Sequence, residues 1–265
     1  MLYFYSKLQS INKIHNVQNI TRIYALSKRN IILRYKNSLI GFFWGFFKPL
    51  LFLLIFIVIF SAQFPSINNY ILYATSGLIF WFFFSNVTNQ SIGSIIGSAG
   101  LIKSLNIPAI QFPLSEIIGE LFNFVLTLIV FLIIMYWFGI SYSLNMLLII
   151  PCTLLFGIFC FGVILALSSL NVFFRDVGIL WATIQPALFY LTPIAYPESM
   201  IPPHYKIIIK CNPIYYFIKL GRSIFHDSVG PSLALWMHCA IIALVTLSIG
   251  AFIFSKLKNQ FISTI

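Results

Sequence analysis

The chain is dominated by long apolar runs with almost no charge inside them. Six appear, at about 39–63, 71–97, 112–138, 144–170, 177–195 and 231–255. A helix needs about 20 apolar residues to cross a bilayer, and each run is near or above that length. The runs are continuous, not short segments of alternating polarity, so they predict helices and not a β-barrel. The fifth is the shortest and contains Pro186 and Pro193, which predicts a kinked helix.

Composition agrees. Hydrophobic residues make up 60% of the chain and charged residues 8%, against about 25% charged in a soluble domain. So little polar surface cannot cover a soluble core of this length. The expectation is an all-α integral membrane protein with one six-span domain over 39–255, a segment 1–38 before it and a tail at 256–265.

Basic residues set the orientation. Lys7, Lys13, Arg22, Lys28, Arg29, Arg34 and Lys36 precede the first run. Lys103 follows the second, Arg175 the fourth, and Lys256 and Lys258 the sixth, whereas 64–70 and 139–143 carry no charge. Both termini are expected to be cytoplasmic, and the N-terminal segment does not read as a secretory signal. The segment 196–230 runs against this count, with Lys206, Lys210, Lys219 and Arg222 on the outer side. The net charge of +11 is then mostly topological and does not point to nucleic acid.

Residues 16–37 read as an amphipathic helix at the membrane surface. Ile20, Ile23, Tyr24, Ile31 and Tyr35 share one side, and Arg22, Arg29 and Lys36 recur on the other. Its cations either anchor to anionic lipid or meet an anionic headgroup or a partner protein. Between runs five and six, Pro203 and the pair Asn212-Pro213 predict two short re-entrant helices in the outer leaflet, with their basic side chains reaching the interface.

The sequence is poor in catalytic chemistry. It has no G-x-x-x-x-G-K-[ST] phosphate loop and no H-E-x-x-H. His15, His204, His226 and His238 are scattered, and Cys152, Cys160, Cys211 and Cys239 lack ligand spacing, so no metal site is expected. Glu116 suits the first turn of the third span, where the helix dipole favours a carboxylate. Glu120, one turn deeper, should face protein or a watery path. Asp176 is placed to cap the fifth helix beside Arg175, which marks the inner edge of the membrane. Trp44, Phe80, Trp81, Tyr190 and Tyr196 lie on spans or their ends, either as packing or as flat surfaces for sugar rings along a translocation path. Gly41 and Gly45 form a GxxxG pair.

Several stretches, in order, resemble the type-2 ABC exporter permeases: "SKRNIILRYKNSLIGFFWGFFKPLL", "GLIFWFFFSN", "LIKSLNIPAIQFPLSEIIGELFNF", "LNVFFRDVGILWATIQPALFYLTPIAYP" and "CNPIYYFIKLGRSIF". The similarity covers about 18–255 and is strongest to the membrane subunits that export lipid-linked O-antigen, capsule and teichoic acid. Lys48 stands where that family more often has an uncharged polar residue before the proline. The resemblance implies a homodimer in a bacterial cytoplasmic membrane, paired with two copies of a separate ATPase that binds ATP and Mg. It implies coupling to that ATPase through the N-terminal helix and the 98–112 loop, with Lys103, Arg175 and Asp176 as candidate contacts. It also implies an exit gated by 196–225. For the substrate, Arg29, Arg34 and Lys36 are candidate contacts to the anionic headgroup, and the aromatic residues named above, with Glu120, line the candidate path. Two other readings share parts of this pattern: a type-2 permease for a small hydrophobic compound, and a membrane enzyme of lipid-linked glycan assembly. The second is disfavoured because Asp176 stands alone on the inner face, without the acidic partners that hold metal and phosphate.

Overall fold

The computed structural model describes residues 2–36, 43–61, 63–64, 67, 69–105, 107–140, 142–225 and 230–265, with side chains from residue 19 onward except 44–46. The described residues form helices and turns, with no strand among them. In chain order the helices are α1 (Leu2–Tyr35), α2 (Trp44–Phe60), α3 (Tyr70–Ser91), α4 (Ala99–Leu105), α5 (Gln111–Trp137), α6 (Ile149–Phe173), α7 (Asp176–Leu191), α8 (Lys206–Lys210), α9 (Pro213–Phe225), α10 (Leu233–Leu257) and α11 (Phe261–Thr264).

Four stretches among the described residues are long and apolar enough to cross a membrane: Tyr70–Ser91, Gln111–Trp137, Leu144–Phe173 and Leu233–Thr264. The first and fifth expected spans come out shorter. α2 has 17 residues and α7 has 16. At 1.5 Å per residue they rise about 26 and about 24 Å, less than the about 30 Å of a hydrocarbon core. Residues 37–42, where the first expected span begins and which include Gly41, lie outside the described residues. Pro186 sits inside α7, but Pro193 lies beyond it. The helix stops because a residue before proline is pushed out of the α region; Thr192 is accordingly extended, at φ −95° and ψ 127°.

α3 is the hub. It packs against α2, α5, α6, α7 and α9 and is buried along most of its length. Its rings interlock with those of its neighbours. Phe80 lies 5.6 Å from Phe124 and 5.4 Å from Phe156, and Phe84 lies 6.0 Å from Phe159. Phe217 of α9 joins this layer, 4.8 Å from Phe159. Gly221 lets α9 approach, since a Cβ there would fall 2.1 Å from a carbon of the Phe80 ring. α6 and α10 meet backbone to backbone at Gly162 and Gly250, where small residues permit close helix contact. Outward faces of α2, α5 and α10 stay apolar, as with Val58, Ile129 and Leu244.

α1 is one long helix laid against α5. The face that meets α5 mixes apolar and polar residues, with Ile31 close to Gly119 and Tyr35 bonded to Asn123. Ile20 and Tyr24 are 68% and 67% exposed, while Leu26 and Ser27 are buried. The helix is turned so that Asn19, Asn30 and Arg34 meet polar groups of α5. The buried Glu120 thereby gains a cation, without which its burial would be costly.

Candidate functional site

Two polar stripes face each other across α3 and α5. On α3, Phe82, Phe83, Asn86 and Gln90 fall at the three- and four-residue spacing of one helix face. On α5, Glu120, Asn123, Phe124 and Thr127 do the same. Arg34 and Tyr35 from the end of α1 and Lys48 and Pro49 from the start of α2 close the sides, leaving an open cleft of about 290 Å³.

Glu120 anchors the cleft. Its side chain is 1% exposed, and its Oε1 accepts hydrogen bonds from Arg34 Nη1 and from Gln90 Nε2, the latter at 2.8 Å. Asn123 Nδ2 donates to Oε2 at 3.4 Å. Arg34 Nη2 also lies 3.7 Å from Glu116 Oε2. Asn30 Nδ2 donates to Glu116 Oε1 at 2.8 Å and to Ser115 Oγ at 3.1 Å. Burial raises the Tyr35 phenol above its ordinary value, against the lowering effect of Arg34. It therefore stays protonated and donates to Asn123 Oδ1 at 3.2 Å. The three elements α1, α3 and α5 are thus joined by one charge-assisted network, the kind that satisfies a deep carboxylate.

The structure separates the candidates named from sequence. Arg34 and Glu120 are brought together; Arg29 on α1 and Lys36 just after it stay exposed. Arg34 is bonded to Glu120 and lies 3.7 Å from Glu116. Phe80 has no exposed surface and Trp81 is 4% exposed, so both are packed in the core. The side chain of Trp44 lies outside the described residues. Tyr190 and Tyr196 do meet: the Tyr196 hydroxyl donates to the Tyr190 carbonyl at 2.7 Å, and both line an apolar groove of about 460 Å³. Lys103, Arg175 and Asp176 are exposed.

Asp176 does not cap α7 with its side chain, and the N-cap position is Arg175, which makes no side-chain cap bond. Asn171 replaces it. Its Oδ1 accepts the Gly178 amide at 3.2 Å, and its Nδ2 donates to the Ile92 carbonyl at 3.0 Å. Asp176, in the first turn, contributes through the helix dipole.

Arg222 of α9 is held within the fold. Its Nη2 donates to the carbonyls of Pro193 and Ile194 at 3.0 and 3.2 Å. Gly77 makes room for it, since a Cβ there would lie 3.1 Å from Nη2. Asn212 binds the same corner, donating to Thr192 Oγ1 at 2.8 Å. Sequence reasoning missed Asn30, Gln90, Asn123 and Asn171. The signal for Gln90 and Asn123 was available: amides inside apolar helices are costly unless paired.

Comparison with known proteins places this architecture. Residues 21–226 match the family described as "ABC-2 type transporter". The O-antigen export system permease protein RfbA of Klebsiella pneumoniae is 32% identical over 241 residues, 89% of this chain and 92% of the relative. The polysialic acid transport protein KpsM of Escherichia coli is 26% identical over 243 residues, 88% of this chain and 92% of the relative. The capsule polysaccharide export inner-membrane protein CtrC of Neisseria meningitidis serogroup B is 24% identical over 208 residues, 77% of this chain and 78% of the relative. With most of its length matched, the chain belongs to the ABC-2 type transporter family.

Proposed function

We propose that the chain is the membrane permease subunit of an ABC transporter that exports a lipid-linked polysaccharide, of O-antigen, capsule or teichoic acid type, across a bacterial cytoplasmic membrane. The observation that carries this reading is the near full-length similarity to permeases named for O-antigen and capsule export. ATP and Mg belong to a separate ATPase subunit, in two copies, serving a homodimer of this chain; the absence of a phosphate loop from the sequence supports that division.

In this reading both termini are cytoplasmic, 1–38 is the interface segment, 39–255 crosses six times and 256–265 is the tail. α2 and α7 complete the six crossings by local thinning of the bilayer, and α8 and α9 dip into the outer leaflet. Arg29 on α1 and Lys36 just after it, both exposed, attract the anionic headgroup. Exposed Lys103, Arg175 and Asp176 meet the ATPase, and Tyr190 and Tyr196 border the outer part of the path.

Depletion of the chain in its own cell tests the proposal. Surface glycan should fall while lipid-linked glycan accumulates on the inner leaflet, and re-expression should reverse both. Unchanged surface glycan, with retention of a small hydrophobic compound instead, would replace this reading by the small-compound permease.

A further inference from the structure

The polar network around Glu120 explains only part of its cleft. Arg34, Gln90 Nε2, Asn123 and Tyr35 hold one another and pin α1 to α5. Two polar side chains in the same cleft do no such work. Among the described residues, Asn86 makes no hydrogen bond and Lys48 no ion pair. Lys48 lies at the rim, with its Nζ 5.3 Å from the centroid of the Phe82 ring, and Asn86 is one helical turn from Phe82 on the same face of α3. Polar side chains on a membrane helix are expensive when idle.

The chemistry of these unused groups is that of a sugar site with an anion beside it. An amide presents a donor and an acceptor side by side, matching vicinal hydroxyls. Asn86 and the Oε1 of Gln90 supply that pattern. Phe82 and Phe83 put apolar wall beside these groups, where sugar C–H groups could pack. Lys48 is a mobile point charge of the type that takes a phosphate. The cleft, at about 290 Å³, lies at the small end of ligand pockets, which run from about 300 to 1,000 Å³. It suits one sugar ring, not a chain.

We infer that the cleft between α1, α2, α3 and α5 is a subsite for the first sugar of a lipid-linked glycan, with Lys48 on the phosphate that joins sugar to lipid and Asn86 on the sugar hydroxyls. This rests on the reading under Proposed function. The Arg34–Glu120 network forms the rigid wall against which the sugar sits, and the lipid leaves through the open side toward the bilayer.

Photo-crosslinking in cells carrying the full transporter tests the subsite. A benzophenone amino acid replaces Asn86, or Thr127 on the opposite wall if the first variant does not fold; the control replaces Val125, on the outward face of α5. In glycan-synthesising cells, the adduct at 86 or 127 should carry both sugar and polyprenyl lipid, while that at 125 carries phospholipid alone. In cells blocked in glycan synthesis the sugar-bearing adduct should vanish. Lys48→Met and Asn86→Ala should each lower export about tenfold, the loss of one hydrogen bond to a charged or buried partner, while copurification with the ATPase persists and Lys48→Arg restores export. Phospholipid-only adducts at both cleft positions, or wild-type export by Lys48→Met and Asn86→Ala, overturn the subsite while export continues in the same cells. Absence of glycan export by the unmodified transporter overturns the functional reading itself, and the subsite with it.

Discussion

Arg222 lies against the ring of Tyr73, with its guanidinium carbon 3.5 Å from the ring centroid and its Nη1 donating to the Tyr73 hydroxyl at 2.8 Å. The same guanidinium donates to the carbonyls of Pro193 and Ile194, so one side chain of α9 holds both α3 and the corner where α7 ends. Only a planar fork reaches all of these acceptors at once. Arg222→Met should therefore cost roughly 2–3 kcal/mol, as hydrogen bonds to a charged group are lost. Arg222→Lys should recover less than half of that. Denaturant unfolding in detergent measures the loss, and protease cutting within 193–201 should accelerate in parallel.

Lys219 gives the contrast. It lies 3.4 Å from Glu198, and the two side chains are 46% and 41% exposed. A pair this open to solvent is worth less than about 1 kcal/mol. Lys219→Met should leave the unfolding midpoint nearly unchanged, and a shift as large as that of Arg222→Met would refute the assignment.

The Arg34–Glu120 pair is buried on the acidic side, so removing one partner should hurt more than removing both. Arg34→Met strands a carboxylate that is 1% exposed, at a cost of about 3 kcal/mol. Glu120→Gln keeps an acceptor for Gln90 and should cost less. In the Arg34→Met/Glu120→Gln double variant the two losses should fall short of their sum by at least about 1 kcal/mol. Hydrogen exchange along the last turns of α1 reads the same coupling, and strictly additive losses would mean that the two side chains do not meet.

Gly221 and Phe80 offer a rescue test. A methyl group at 221 would sit 2.1 Å from the ring, so Gly221→Ala should destabilise by about 1–3 kcal/mol through overpacking. Phe80→Leu in the same chain removes the obstructing ring atoms and should restore part of the loss. No recovery would mean that α9 does not approach α3 at this point.

Much of the architecture was legible in hydropathy. α5 spans Gln111–Trp137, against an expected 112–138, and α10 spans Leu233–Leu257, against 231–255. A long, uniform apolar run has few other ways to satisfy its backbone. The failures share one cause: they required knowing a partner far along the chain. The contacts of Asn30 and Arg34 on α1 could not be read locally, because the carboxylates they meet on α5 lie 86 positions away. Phe80 and Tyr190 were indistinguishable as aromatic residues on spans, yet one is sealed in the core and the other is 75% exposed. Asp176 seemed the obvious cap because it is adjacent to the helix start, whereas Asn171 reaches across from the preceding helix.

The enclosure of α3 has a consequence for how the protein is made. Its hydropathy is 1.4, against 2.6, 2.6 and 2.2 for the other three long apolar stretches, and it is the one most enclosed by protein. Asn86, Gln90 and their neighbours are tolerable beside Glu120 and Arg34 but poorly tolerated beside acyl chains. During synthesis α3 emerges before α5, α6 and α9, so the segments that shield it do not yet exist. Its full enclosure must wait until the chain has been translated as far as α9, which ends at Phe225. Biogenesis of this protein is therefore not a string of independent helix insertions, and a ribosome stalled between α3 and α5 should leave α3 extractable from the membrane by alkaline carbonate.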